Sequence, residues 1–346
     1  MRPTIAVLLG DRNGIGPELV AGLLATSETR EHARVVGLGD PAVLAEGCAA
    51  AAVELAPEVV ASLEGAATPM DRPAGRPLWL ELRPEPGTAT TRGRPSAAAG
   101  REMLEQLRRA ARLAREGAVD GIVFAPLNKH AIHLADPEFR DELGFLAAEL
   151  GHRGGYGELN VLGKLWTSRV TSHLALKEVS ARISAASVHG AIRLLHDALV
   201  AAGRSRPRLA VSGLNPHAGD GGMFGREEID HIAPGIARAC ADGIRAEGPF
   251  PADTVFVAAR DGAYDAVVSM FHDQGQIAMK LMGFGRGVTV AGGLPVPITT
   301  PAHGTAYDIA GKGVATGEGL WQAFLLCCRM AAQSQPQGQP QPQGRP

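Results

Sequence analysis

The chain has 346 residues, 45% of them hydrophobic, 20% charged and 4% aromatic, enough length and apolar content for one large or two ordinary domains with a sizeable core. Lys and Arg number 34 against 36 Asp and Glu, a formal charge of -2, so the broad basic field of a non-specific nucleic-acid binder is absent. There is no apolar run of about 18 residues, and Ile5-Ala6-Val7-Leu8-Leu9 passes into glycine and charge too early for a signal-peptide core; the expectation is a soluble cytoplasmic protein that engages neither nucleic acid nor membrane.

Thr4-Ile5-Ala6-Val7-Leu8-Leu9 reads as a strand, Gly10 to Glu18 as a loop, and Leu19 onward as a helix. A second strand over Arg34–Leu38 precedes a helix from Pro41 to about Ala51. From Pro69 to Ser96 the composition turns to Pro, Arg and Gly without periodicity, which predicts an irregular or poorly ordered excursion. The spacing Met103, Leu104, Leu107, Ala110 and Leu113 predicts an amphipathic helix from Ala97 to about Glu116, leading into a buried strand at Gly121–Ala125. Arg208–Ser212 and Ala266–Met270 are further strands that run directly into polar residues. Ligands of open α/β sheets bind beyond the carboxyl ends of strands, so these three junctions are where chemistry is expected. After about Ala332 the chain becomes Gln-Pro-Gly low complexity, predicting a disordered tail over 333–346.

Cys48, Cys240, Cys327 and Cys328 have no C-x-x-C spacing and read as buried or idle thiols. His173, His217 and His272 each follow a strand-like run. Three imidazoles would hold a divalent cation with positions left for a substrate hydroxyl; separate hydrogen-bonding loop histidines would give the same sequence. The turn Gly10–Gly16 matches neither the dinucleotide nor the nucleotide-triphosphate glycine fingerprint, and is either a tight turn or an anion site at a helix N-terminus. Lys129 at a strand end and Lys280, eight residues after His272, are candidate cations or proton-transfer groups, against the ordinary reading of surface lysines. Asp253 is equally a turn or helix-cap residue.

Nine stretches occurring in order together resemble the 4-hydroxythreonine-4-phosphate dehydrogenase (PdxA) family of the vitamin B6 pathway. They include Gly10-Asp11-x-x-Gly14-Ile15-Gly16-Pro17-Glu18, Ala125-Pro126-Leu127-Asn128-Lys129, Thr171-Ser172-His173, Gly213-Leu214-Asn215-Pro216-His217-Ala218-Gly219, His272-Asp273-Gln274-Gly275 and His303-Gly304-Thr305-Ala306. The resemblance implies an α/β, two-domain isocitrate/isopropylmalate dehydrogenase-like fold with a cleft between domains. It divides the chain as 1–128 plus 287–332, then 129–286 carrying the dimer interface. It implies a homodimer, NAD or NADP, and a divalent metal (Zn, Mg, Mn or Co) held by His173, His217 and His272, with one ligand crossing the interface. Asn215, Asp253, His303 and Gly304 are the implied cofactor contacts, and Lys280 and Lys129 the catalytic candidates.

The departures are specific. Where the family has Gly-His-Thr-Glu, this chain has Asp141-Glu142-Leu143-Gly144; Thr289 replaces an Asn, and Ile298 an Arg. Of the family's substrate contacts Lys280 remains, and Glu142, Leu143, Thr289 and Ile298 now face that task. Losing an anion clamp while gaining a carboxylate predicts retained chemistry on a changed substrate. The expected reaction is oxidation of a secondary alcohol β to a carboxylate in a small hydroxy acid, a four-carbon sugar acid or its 4-phosphate, with decarboxylation optional. The alternatives are the vitamin B6 step itself, a dihydrodiol carboxylate of the terephthalate-diol type, and a non-catalytic metal- or ligand-binding relative.

Overall fold

The computed structural model describes residues 2–62, 76–83 and 90–334. Twelve strands form one sheet: β1 (Thr4–Leu8), β2 (Arg34–Gly39), β3 (Glu58–Val60), β4 (Leu78–Glu81), β5 (Gly121–Phe124), β6 (Gly157–Leu162), β7 (Leu165–Arg169), β8 (Arg208–Ser212), β9 (Arg245–Phe250), β10 (Ala266–Ser269), β11 (Val288–Gly292) and β12 (Ile298–Pro301). Their order is β3-β4-β2-β1-β5-β12-β11-β6-β7-β10-β8-β9. Pairing is parallel at both ends, whereas β12 with β11, β11 with β6 and β6 with β7 are antiparallel. This is the α/β class the sequence predicts, with a mixed sheet, and the cleft described below lies at the antiparallel strands of mid-sheet.

The strands are buried on both faces because helices cover both. On β1, Ile5 and Val7 enter one apolar cluster and Ala6 and Leu8 another, as the twofold alternation of a strand requires. One layer includes the helices Gly16–Ala25, Ala185–Ala201 and Glu318–Ser334; the other includes Ala97–Arg115. That last helix starts where Ser96 accepts a hydrogen bond from the Ala99 N–H at 3.2 Å, a serine N-cap. No helix among the described residues is long and apolar enough to cross a membrane.

Two expectations are corrected. Of the Pro69–Ser96 interval, residues 69–75 and 84–89 lie outside the described residues, but the described part contains β4, whose Leu78, Trp79 and Leu80 are buried. Trp79 donates from Nε1 to the Gly39 carbonyl at 3.0 Å, and a Cβ on Gly37 would stand 2.2 Å from its ring, so a glycine in β2 makes room for the indole. The final helix runs to Ser334, through the first two positions assigned to the tail; residues 335–346 of that tail lie outside the described residues. The Gly10–Gly16 segment is a tightly packed turn. A Cβ at Gly14 would meet Thr305 at 2.8 Å and one at Gly16 would meet the Leu9 carbonyl oxygen at 2.3 Å, so both glycines are required by close backbone approach.

Candidate active site

A cleft of about 990 Å3 opens at the middle of the sheet. It is lined by the ends of β5, β7 and β12, by β6 and β11, and by the starts of two short helices, Lys129–Ala135 and Glu142–Glu149. Each helix begins on a side-chain cap: Asn128 Oδ1 accepts from the Ala131 N–H at 2.8 Å, and Asp141 Oδ1 from the Gly144 N–H at 2.6 Å. Capping in this way places Lys129 and Glu142 at the first helical positions. Their side chains meet across the cleft wall, Nζ to Oε2 3.2 Å. Leu143 and Thr289 also line the cleft, as does Ile298, although at 1% exposure Ile298 is chiefly a core residue.

The sheet explains why His173 and His272 come together. Parallel pairing of β7 with β10 continues past the strand ends, with the Val170 N–H on the Ser269 carbonyl at 2.9 Å and the Thr171 N–H on the Met270 carbonyl at 3.1 Å. Two residues further on, the imidazoles stand 5.8 Å apart, centroid to centroid. His173 has φ 49°, a left-handed conformation uncommon for a residue with a side chain. His272 Nδ1 is 2.7 Å from Asp273 Oδ1, a carboxylate–imidazole pair of the kind that sets the tautomer and basicity of a metal-binding histidine.

His217 does not join them. Among the described residues no three His, Cys, Asp or Glu side chains converge as a metal set; His217 instead packs edge-on against Phe224, 6.2 Å between centroids. It begins a run of five consecutive left-handed residues, His217 to Gly221, which L-residues resist by roughly 1–2 kcal/mol each. The loop is held by Glu228, 3% exposed. Its Oε1 accepts the backbone N–H of Leu214 and of Asn215, both at 2.8 Å, and its Oε2 accepts from Asn215 Nδ2 at 3.0 Å. Asn215 Nδ2 also donates to Glu227 at 2.8 Å, so this amide is occupied in supporting the loop. Hydrogen bonds from Ser180 and Asn215 hold the Glu227 carboxyl below its ordinary range.

His303 and Gly304 also line the cleft. They belong to an irregular segment that precedes no helix until Glu318. His303 Nε2 is buried without a hydrogen-bond partner. Further along this loop Tyr307 donates to the buried Asp11, tying it to the Gly10–Asn13 turn. Asp253 is exposed in the first turn of Ala252–Arg260, and Lys280 is exposed on the helix His272–Gly283; neither lines the cleft.

Sequence reasoning missed a polar cluster on the cleft floor. Arg169, its side chain 6% exposed, pairs with Glu158 Oε1 at 3.0 Å, donates to Asn160 Oδ1 at 2.9 Å and bonds Ser172, the neighbour of His173. Asn160 in turn accepts from Gln276 at 2.6 Å and donates to Thr289 at 3.3 Å. Burial pushes the Glu158 carboxyl up, but the charge and hydrogen bonds of Arg169, with Asn160 and Lys129, outweigh it and hold the group below the usual carboxylate range. The available signal was a lone arginine at the carboxyl end of a strand, directly before Val170-Thr171-Ser172-His173.

The family model described as pyridoxal phosphate biosynthetic protein PdxA matches residues 31–327. A protein of Pseudomonas aeruginosa, provisionally named 4-hydroxythreonine-4-phosphate dehydrogenase 2, is 51% identical, covering 95% of this chain and 97% of its own length. D-threonate 4-phosphate dehydrogenase of Bordetella bronchiseptica is 38% identical over 96% of this chain and 93% of that protein. The crystal structure of 4-hydroxythreonine-4-phosphate dehydrogenase from Klebsiella pneumoniae superposes with a TM-score of 0.81 at 35% identity, covering 95% of this chain and 99% of that one.

Proposed function

The chain belongs to the PdxA family of dehydrogenases, and from that premise we propose that it is a divalent-metal- and NAD(P)-dependent enzyme that oxidises a secondary alcohol β to a carboxylate in a small hydroxy acid. The observation that carries this reading is the His173–His272 pair, 5.8 Å apart beside the cleft. Imidazole donors, one of them braced by Asp273, suit Zn or Co better than Mn or Mg, which prefer oxygen ligands and would draw them from substrate and water. The named substrates of the relatives, 4-hydroxythreonine 4-phosphate and D-threonate 4-phosphate, share the hydroxyl-and-carboxylate core.

In this reading the metal is held by His173, His217 and His272, and His217 is supplied by a second copy of the chain. Two things support that. His217 stands outside the pair within one chain, and the segments carrying the three histidines expose Leu176 at 70%, Met223 at 75% and Leu281 at 83%, apolar surface suited to a homodimer face. The cation would supply Lewis acidity toward the substrate's secondary alcohol and carboxylate, and NAD or NADP would supply the hydride acceptor.

The chain's own groups do the rest. Lys280, brought in at the interface, orients the substrate carboxylate as a point charge. Lys129, paired with Glu142, fixes the far end or carries a proton. His303 and Gly304 bound the cofactor side of the cleft. The unit formed by 1–128 with 287–332 and the unit 129–286 form the two walls. The test is metal titration followed by NAD(P)H formation with a hydroxy acid: metal-dependent turnover, abolished by chelation, is expected, and full turnover in chelated protein overturns the metal assignment.

A further inference from the structure

The charge pattern of the cleft goes a step beyond the dehydrogenase reading on which it rests. Three Lys or Arg side chains line the cleft among the described residues, and each already stands against a carboxylate. Lys129 Nζ is 3.2 Å from Glu142 Oε2, and Arg169 Nη2 is 3.0 Å from Glu158 Oε1. Arg193 Nη1 is 3.4 Å from Asp242 Oδ2, and its Nε is 4.0 Å from Asp197. A phosphate ester in such a cleft would meet cations whose charge is locally cancelled, and would have to approach two fixed carboxylates. Recognition of a phosphate dianion relies on the opposite arrangement, guanidinium or ammonium groups with free donors.

We propose that the substrate carries a single anionic group, its carboxylate, and that its far end is an uncharged polyol whose hydroxyls donate to Glu142 and Glu158. Both carboxylates retain capacity for this. The Lys129 contact falls on Oε2 of Glu142, leaving Oε1, and the Arg169 and Asn160 contacts with Glu158 both fall on Oε1, leaving Oε2. An ionised carboxylate is an acceptor alone, with room for several donors, and its bonds to hydroxyls are short and charge-assisted. Glu142 lies on the cleft wall and both neutralises Lys129 and offers the hydroxyl acceptor. Glu142 is thus a specificity-determining residue, selecting free sugar acids over their phosphate esters.

The experiment is calorimetric titration of the metal-loaded protein with the stereoisomers of 2,3,4-trihydroxybutanoate, D-threonate among them, and with the 4-phosphate of each. At least one free acid is expected to bind roughly tenfold or more tighter than its phosphate, about the weight of one charge-assisted contact. Glu142→Gln, which releases Lys129 and keeps the side-chain shape, is expected to shrink or reverse that ratio. Tighter binding of the phosphate by the unaltered protein overturns the proposal, and so does failure of every free acid to bind. NAD(P)H formation with any secondary hydroxy acid, phosphorylated or not, reports separately on the dehydrogenase reading, so the two claims fail by different results.

Discussion

Glu228 holds Asn215 at two points, accepting its backbone N–H at 2.8 Å on Oε1 and its side-chain amide at 3.0 Å on Oε2. With the Leu214 N–H on the same Oε1, one buried carboxylate fixes the stem of the left-handed run that begins at His217. Glu228→Ala leaves three donors without their acceptor, and the expected loss is about 3 kcal/mol of stability, as for other buried charged hydrogen bonds. Glu228→Gln keeps an acceptor and should lose less. Chemical denaturation measures the stability, and metal titration should show weakened binding in both variants; unchanged stability and metal affinity in Glu228→Ala would contradict this role.

Gly37 and Trp79 make a purely structural prediction. With a Cβ at Gly37 only 2.2 Å from the buried indole, Gly37→Ala must displace Trp79 and its bond to the Gly39 carbonyl. The expected destabilisation is about 1–3 kcal/mol, the usual range for overpacking a core, seen as a lower thermal midpoint.

β4 and Arg169 show what the sequence hid. The strand–loop junctions after β5, β8 and β10 were legible because long apolar runs stop abruptly at polar residues. β4 was not, since four residues between prolines and arginines are too few for a period to appear, and its burial depends on Gly37 making room for Trp79. The His173–His272 approach follows from β7 lying beside β10, a long-range pairing that spacing along the chain does not encode. Arg169 reads as an ordinary charged residue until Glu158 and Asn160, on the neighbouring strand, are seen to enclose it.

The Arg169–Glu158 pair carries a pH dependence with a definite sign. The folded-state pKa of Glu158 lies below its ordinary 4.5. The ionised carboxylate therefore contributes stability that is fully present above pH 4.5 and is lost as pH falls through the lower folded value. Arg169→Met removes the stabilising charge and leaves Glu158 dominated by burial, so its folded pKa should rise. Thermal midpoints followed from pH 7 to 3 should then show a larger deficit for the variant at neutral pH than in acid; a deficit independent of pH would mean that the pair contributes packing alone.

Sharing of the metal set between copies has its own test. His217→Ala and His272→Ala should each abolish metal-dependent turnover with the fold intact. If His217 acts in the other copy's site, a mixed dimer contains one intact site, and random re-association of equal amounts should recover about a quarter of unaltered activity, by the symmetry of a twofold dimer. No recovery after verified exchange of subunits would place all three histidines in one chain or remove His217 from the set.

The most direct measurement is initial-rate NADH and NADPH formation by metal-reconstituted protein with 4-phosphohydroxy-L-threonine set against small hydroxy acids that lack its amino group. The departures that the family resemblance leads one to expect at Glu142, Leu143, Thr289 and Ile298, together with the Lys129–Glu142 pair on the cleft wall, predict metal-dependent turnover of a hydroxy acid and little or none of the phosphorylated amino acid. Efficient turnover of 4-phosphohydroxy-L-threonine, with the hydroxy acids inert, would contradict the changed pocket and make this chain an enzyme of vitamin B6 synthesis.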